Sequence, residues 1–290
     1  MVNESGHARV AKVEPVMKTE ASKTQLISDD QRQQYRQEGY MILKSIIPQD
    51  VLTMLREECS YFLGYKDAQM DAAGETIQGI SHRGKRYFIA NRYRLSPRTW
   101  QFIFSPLMAQ IAQAALGPNA YLFYDQWTIK GTKGGMKFGW HQDSGYVKYE
   151  EKVEHRPYLT CWCTLDDVSE ANGTVAILPH SRGHTSDTIF GHEAEAGTTD
   201  LIGYKGDDAG ITIVAPAGSI VAFSSYNFHR SGPNTLDRMR RIYVLQYCDE
   251  PIMTADRRLY GMAVPFVQDG KIVYSREGDT AEKYGPHLPK

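Results

Sequence analysis

Polar and apolar positions divide the chain into a polar start, a helical stretch and a long strand-rich stretch. Residues 1–27 are polar and aperiodic, the pattern of a flexible arm. Order is expected to begin at Ser28-Asp29-Asp30-Gln31, a capping-box pattern that opens a short helix ending near Gly39. Tyr40-Met41-Ile42-Leu43 then reads as a short apolar strand. Pro48 suits the first position of a second helix, where Val51, Leu52, Leu55, Cys59, Phe62 and Leu63 recur at helical spacing and Gly64 is the expected stop. That stripe is expected to pack into the core. Ser96-Pro97 and Ser105-Pro106 each pair an N-cap with a proline, and the second starts a helix with Leu107, Ile111, Ala114 and Ala115 on one side, stopping at Gly117-Pro118.

From Tyr121 the period changes. Candidate strands are 121–130, 137–143, 158–165, 174–178, 211–214, 219–223 and 240–247, rich in Val, Ile, Thr, Tyr and Trp and separated by turn residues such as Asn172-Gly173 and Pro233-Asn234. Many short strands without intervening helices predict a sandwich or jelly roll. The fold class is α+β, mainly β: a double-stranded β-helix (jelly roll) with the N-terminal helices packed on one sheet. One domain is expected over 28–290, with its jelly-roll core at about 120–250. Two long connections, 144–157 and 182–210, are expected to carry function or act as lids.

Composition narrows the class without naming a chemistry. Apolar residues make up 41% of the chain, ample for a large core, and the net charge of −1 gives no reason to expect nucleic acid or an anionic membrane as partner. No apolar run is long enough to span a bilayer, and the first 27 residues lack the apolar core of a secretory signal. The terminal Leu288-Pro289-Lys290 is not a peroxisomal address. Cys59, Cys161, Cys163 and Cys248 show no framework spacing, so a reduced, cytoplasmic setting is expected. The sequence does not decide the oligomeric state.

The candidate chemistry lies in Trp140-His141-Gln142-Asp143 and, far along the chain, Asn227-Phe228-His229-Arg230-Ser231-Gly232. On an extended strand His141 and Asp143 leave the same face, and Gln142 the other. With His229 they form two imidazoles and one carboxylate, the ligand set of facial-triad Fe(II) sites that keep coordination positions open. The pair alone is unspecific, because nine histidines and 34 acidic residues place such pairs by chance on solvated turns. A jelly roll, however, brings the end of an early strand beside the start of a late one. An Asp in the third position favours hydroxylation; Gly or Ala there would open a site for halide. A keto-acid cosubstrate also needs a cation, and arginine binds carboxylates bidentately. Arg238, Arg240 and Arg241 follow His229, and alternation puts Arg240 with Ile242 and Val244 but Arg241 with Tyr243, without choosing between the faces.

The stretch from about Gln126 to Tyr247 resembles the phytanoyl-CoA dioxygenase family of Fe(II)/2-oxoglutarate oxygenases. The likeness lies in Trp140-His141-Gln142-Asp143, Trp162, Asn172-Gly173-Thr174, Leu178-Pro179-His180-Ser181-Arg182-Gly183, Pro216-Ala217-Gly218-Ser219, His229-Arg230-Ser231-Gly232-Pro233-Asn234 and Arg240. It implies a dioxygenase that hydroxylates an unactivated C–H of a small molecule and converts 2-oxoglutarate to succinate and CO2, with Fe(II), 2-oxoglutarate and O2. By the same resemblance His141, Asp143 and His229 would hold iron. Arg240, eleven residues beyond, would take the distal carboxylate of 2-oxoglutarate with Ser231, and Trp162 and Gln126 would contact the cosubstrate. The family's further cosubstrate lysine finds no counterpart in residues 80–95. Alternatives in other classes are a non-catalytic metal sensor on the same scaffold and a cupin-like metalloenzyme without a keto acid.

The substrate stays open among acyl-CoA thioesters, amino-acid-like osmolytes, phosphonates and secondary metabolites. Arg83, Arg86, Arg92 and Arg94 near Tyr93, with Tyr146 and Tyr149, are expected to meet a small anionic or amphipathic substrate; Tyr146, Arg92, Tyr93 and Arg94 are the chosen positions. His180 and His184 are expected to be structural or lid residues, His155 and His192 solvated, and Cys161 and Cys163 buried and inert. Gly131, Gly134 and Gly135 are no phosphate loop, for no Lys-Ser or Lys-Thr follows them at a helix start.

Overall fold

The computed structural model describes residues 26–285 apart from Lys152 and Glu154. The arm expected over 1–27 lies outside the described residues except for Leu26 and Ile27, and Ile27 is already fully buried in the core. No helix among the described residues is long and apolar enough to cross a membrane. All four cysteines are free and buried.

The capping box forms as expected. The Ser28 hydroxyl accepts the Gln31 N–H, the Gln31 side chain accepts the Ser28 N–H, and helix Asp29–Glu38 ends on Gly39 in the left-handed region. The second helix, Gln49–Ala73, does not stop at Gly64. Its buried stripe of Leu52, Leu55, Cys59 and Phe62 continues to Met70, so tertiary packing carries the helix through Gly64 to a left-handed C-cap at Gly74. Those additional turns bring Lys66, Gln69 and Ala73 to the rim of the cavity described below. Ser105 caps helix Pro106–Leu116 as expected, whereas Ser96 accepts the N–H groups of Arg98 and Thr99 and the helix there starts at Thr99.

Most of the strands form two antiparallel sheets. The larger runs Tyr40–Leu43, Ile220–Ser224, Leu159–Thr164, Arg240–Cys248, Ala120–Lys130, Arg86–Ala90 and a hairpin of two short strands, with Val264–Gln268 also paired to Ala120–Lys130. The smaller runs Ile211–Thr212, Val175–Ile177, His229–Ser231, Phe138–His141. This is the jelly roll with helices on one sheet. Alternation along the central strands sorts the residues. Cys161, Cys163, Trp127, Ile129, Tyr243 and Leu245 pack outward with the helices. Trp162, Val221, Phe223, Ile242 and Val244 point inward, toward Val175 and Ile177 of the smaller sheet.

Two expectations change. The strand over 137–143 ends at His141, and Asp143 opens a helix, Asp143–Glu151, in the first half of the expected loop 144–157. The connection 182–210 contains a small hairpin, Glu193–Ala194 with Leu201–Ile202.

Two glycines test this account with opposite signs. Gly173 has φ +73°, and a Cβ there would sit 2.3 Å from the Gly232 carbonyl oxygen, so Gly173→Ala should cost about 1–3 kcal/mol and lower Tm by several degrees. Gly64 lies mid-helix with nothing within 4 Å of an added Cβ, so Gly64→Ala should raise stability by about 0.4–1 kcal/mol. Calorimetry of the two variants checks both.

Candidate active site

The site begins with a cross-strand pair. His229 opens the strand His229–Ser231 directly opposite His141, the last residue of Phe138–His141, and the two rings lie with centroids 4.1 Å apart. Each Nδ1 faces the carbonyl two residues back in the chain, Gly139 at 2.8 Å and Asn227 at 3.2 Å. A carbonyl can only accept, so both Nδ1 atoms carry the proton and both Nε2 lone pairs face inward.

Asp143 reaches the same point from the first turn of its helix rather than from a strand, so its placement beside His141 is made by the turn at Gln142. Its Oδ1 lies 3.7 Å from His141 Nε2 and 3.5 Å from His229 Nε2. Its Oδ2 is occupied on the other side, accepting from the Thr160 hydroxyl at 2.7 Å and the Gln246 amide at 2.9 Å. One carboxylate oxygen is thereby left for a ligand. Burial pushes Asp143 up, but the His229 and His141 rings and the Thr160 hydroxyl outweigh it and hold the carboxyl at about 2. Burial, then the neighbouring His141, holds His229 down at about 4. At neutral pH Asp143 is ionised and His229 neutral, the forms in which both bind metal. The ligand atoms of all three side chains lie within 4.8 Å of one another. Two imidazoles and a carboxylate on one side of a cavity fit Fe(II) with open positions.

The cavity measures about 1510 Å³ and is walled by the inward face of the large sheet. In its wall Arg240 is 1% exposed, its guanidinium 5.2 Å over the Trp162 ring, with Nη2 donating to the Gly173 carbonyl. Its Nε and Nη1 are buried without a hydrogen-bond partner. Burial lowers its pKa, against the small opposing pull of Asp166. Two unpartnered buried N–H groups on a cation fit a carboxylate of a ligand. Arg241, on the opposite face, is paired with Asp166 at 2.7 Å, whereas Arg240 lines the cavity. Lys130 stands directly across the sheet from Arg240, equally buried, with Nζ bonded to the Gly232 carbonyl.

Ser231, Trp162 and Gln126 line the same cavity, as do Tyr146 and Arg92. Tyr93 and Arg94 do not: the short turn Tyr93–Leu95 aims both at Asp279, by a hydroxyl bond of 2.6 Å and an ion pair of 2.8 Å. Arg83 pairs with Asp67 and Asp71, and Arg86 is fully buried against Asp200, so neither is free to meet a substrate. His155 and His192 are engaged rather than solvated. His155 Nε2 meets the Ser144 hydroxyl, and His192 Nε2 accepts the Gln142 N–H between the two ligands. Gln142 points away from the cavity, to the carbonyls of Thr188 and Tyr226. Sequence reasoning missed Gln246 and Lys130. Alternation was the available signal, placing Gln246 on the face of Arg240 and Lys130 on the face of Gln126.

A sequence model of the phytanoyl-CoA dioxygenase (PhyH) family matches residues 35–242. The chain is 25% identical over 243 residues to an ectoine dioxygenase of Bordetella parapertussis, covering 78% of this chain and 77% of that one. It is 24% identical over 159 residues to an L-proline trans-4-hydroxylase of Streptomyces griseoviridis, covering 49% and 59%. Among solved structures, EctD from S. alaskensis with 2-oxoglutarate and 5-hydroxyectoine superposes with a TM-score of 0.61 at 20% identity, over 86% of this chain and 83% of that one. EvdO2 from Micromonospora carbonacea var. aurantiaca gives a TM-score of 0.61 at 22% identity, over 80% and 95%. These structures share the fold.

Gln246→Leu should free Asp143 Oδ2 to swing and weaken metal binding by roughly 10–100-fold, the usual effect of losing a residue that orients a ligand. Anaerobic Fe(II) titration, with thermal unfolding as control, measures it; unchanged affinity would remove Gln246 from the site.

Proposed function

The chain belongs to the phytanoyl-CoA dioxygenase family, and from that premise we propose how its site works as an Fe(II)/2-oxoglutarate-dependent dioxygenase hydroxylating a small molecule. The observation that carries the assignment is the buried His141–Asp143–His229 set sharing one cavity with an arginine that has two unpartnered N–H groups. Relatives named as dioxygenases and hydroxylases support it.

His141, Asp143 and His229 would hold the iron. Bound there, Fe(II) supplies the activation of O2 that couples decarboxylation of 2-oxoglutarate, to succinate and CO2, with hydroxylation of a C–H bond. The chain's own residues do the rest. Thr160 and Gln246 fix which Asp143 oxygen is presented, and the two backbone carbonyls fix both imidazole tautomers. Arg240 takes the distal carboxylate of 2-oxoglutarate, with the Ser231 hydroxyl beside it and Lys130 as a second donor. This lysine comes from strand Ala120–Lys130 rather than from residues 80–95. Trp162 covers the guanidinium, and Phe223 and Val244 line the same space, so apolar side chains keep water from the anchored end. The small-molecule substrate would share the cavity with Tyr146, whose hydroxyl is held by the Leu201 N–H.

Anaerobic addition of Fe(II) and 2-oxoglutarate should produce a visible metal-to-ligand charge-transfer band. Its absence while iron demonstrably binds would overturn the keto-acid reading. Arg240→Met should raise the 2-oxoglutarate Kd by about 10–150-fold, the loss of a buried charge-assisted contact of about 1.5–3 kcal/mol. A band forming at the same 2-oxoglutarate concentration in that variant would undo the assignment of Arg240.

A further inference from the structure

The cavity is larger than its cosubstrate needs. Its volume of about 1510 Å³ exceeds the roughly 300–1,000 Å³ of ordinary small-molecule pockets, and 2-oxoglutarate on Arg240 would occupy only the part beside that arginine. The space beyond it is lined by the last turns of helix Gln49–Ala73, the hairpin after it, and Arg92, with Phe123, Tyr124, Tyr149 and Tyr260 among its walls.

The charges there are unequal in their engagement. Lys66 donates to the Gln78 side-chain oxygen at 2.7 Å, and the Gln78 amide donates to Glu75 at 2.7 Å, so that lysine is tied through an amide to a carboxylate. Arg92 is different. Of the other arginines between residues 83 and 98, Arg83 pairs with Asp67 and Asp71, Arg86 with Asp200, Arg94 with Asp279, and Arg98 with Glu57 and Glu58. The Arg92 guanidinium has no ion pair or side-chain hydrogen bond among the described residues, and its Nε is buried without a partner. Its backbone is fixed nonetheless. Its own N–H donates to Asp125 Oδ2 and the Asn91 N–H to the Asp125 carbonyl, with Asn91 at φ +53°. Asp125 itself is turned to the core side of the sheet, where its carboxylate accepts from the Tyr243 hydroxyl. A positioned cation with open donors, in an aromatic-walled cavity, is a receptor for an oxyanion.

Building on the 2-oxoglutarate oxygenase reading, we propose that Arg92 receives an anionic group of the substrate. The substrate class is then an amphipathic molecule with a ring-bearing or otherwise bulky apolar body and a carboxylate, sulfonate or phosphate. Its oxyanion docks on Arg92 and its body lies along the aromatic wall toward the triad.

Two fluorescent probes test this: 8-anilinonaphthalene-1-sulfonate and N-phenyl-1-naphthylamine, the same ring system without the sulfonate. Both are titrated into the full chain without iron and with saturating 2-oxoglutarate, which occupies Arg240. The wild-type protein should bind the sulfonate at least about tenfold more tightly than the neutral amine, a difference of roughly 1.4 kcal/mol. Arg92→Met should lose that preference while still binding the amine, and Arg92→Lys should keep most of it. A wild-type protein that binds neither probe or does not prefer the sulfonate, or an Arg92→Met variant that still prefers it, overturns the proposal. Calorimetry of 2-oxoglutarate binding to the wild-type protein reads the underlying reading separately, since its failure would strike at Arg240 and not at Arg92.

Discussion

Everything at this site depends on one register: His229 pairing directly with His141 across two short antiparallel strands. A slip of one residue would turn the slipped strand's histidine to the opposite face of the sheet from the other. The register is held from the other edge as well, because the same His229–Ser231 strand pairs with Val175–Ile177. Gly173, just before that strand, lies against the Gly232 carbonyl and gives its own carbonyl to Arg240. The strand that carries His229 and the buried guanidinium of Arg240 are thus set by the same few backbone contacts.

The segment between His141 and Asp143 is gripped from outside the cavity. His192 accepts the Gln142 N–H, while the Gln142 side chain bonds Thr188, Tyr226 and Phe190. These partners come largely from the long connection 182–210, which therefore braces the ligands as well as covering them. The same connection is locked to the sheet by Arg86, whose guanidinium forms a two-pronged pair with Asp200 and also donates to the Lys137 and Ile80 carbonyls. A buried pair of this kind gives modest net stability but is costly to break on one side. Its effect is to fix where the connection lies over the cavity.

Arg240 and Lys130, both buried, face each other across adjacent strands with only backbone carbonyls as hydrogen-bond partners among the described residues, and burial, then Arg240, holds the Lys130 pKa well below the usual lysine range. Burial of like charges side by side is unfavourable, and a carboxylate placed between them would relieve it. The jelly roll tolerates this pair because its outward face is independently secured, with Trp127, Tyr243, Leu245 and Cys163 packed against the helices. Stability is supplied on one side of the sheet, and binding chemistry is displayed on the other.

Much of this was legible in the sequence. The capping box at Ser28, the strand-rich second half, the three ligand residues and Arg240 follow from local pattern and from ordered family motifs. What misled local reading was context. Gly64 is a sound helix stop by propensity, yet buried contacts out to Met70 override it. His141 and Asp143 looked like neighbours on a strand, but a turn into a helix brings them together. Tyr93 and Arg94 resembled Arg92 in composition, and only the turn at 93–95 shows that they serve Asp279 while Arg92 faces the cavity. The sequence by itself determined the candidate set of His141, Asp143 and His229 and which residues alternate together. The tertiary structure alone decided which face looks into the cavity, and which of several arginines has a guanidinium without an ion pair among the described residues. Periodicity repeats along a chain, whereas the pairing of charges depends on distances between residues far apart in it.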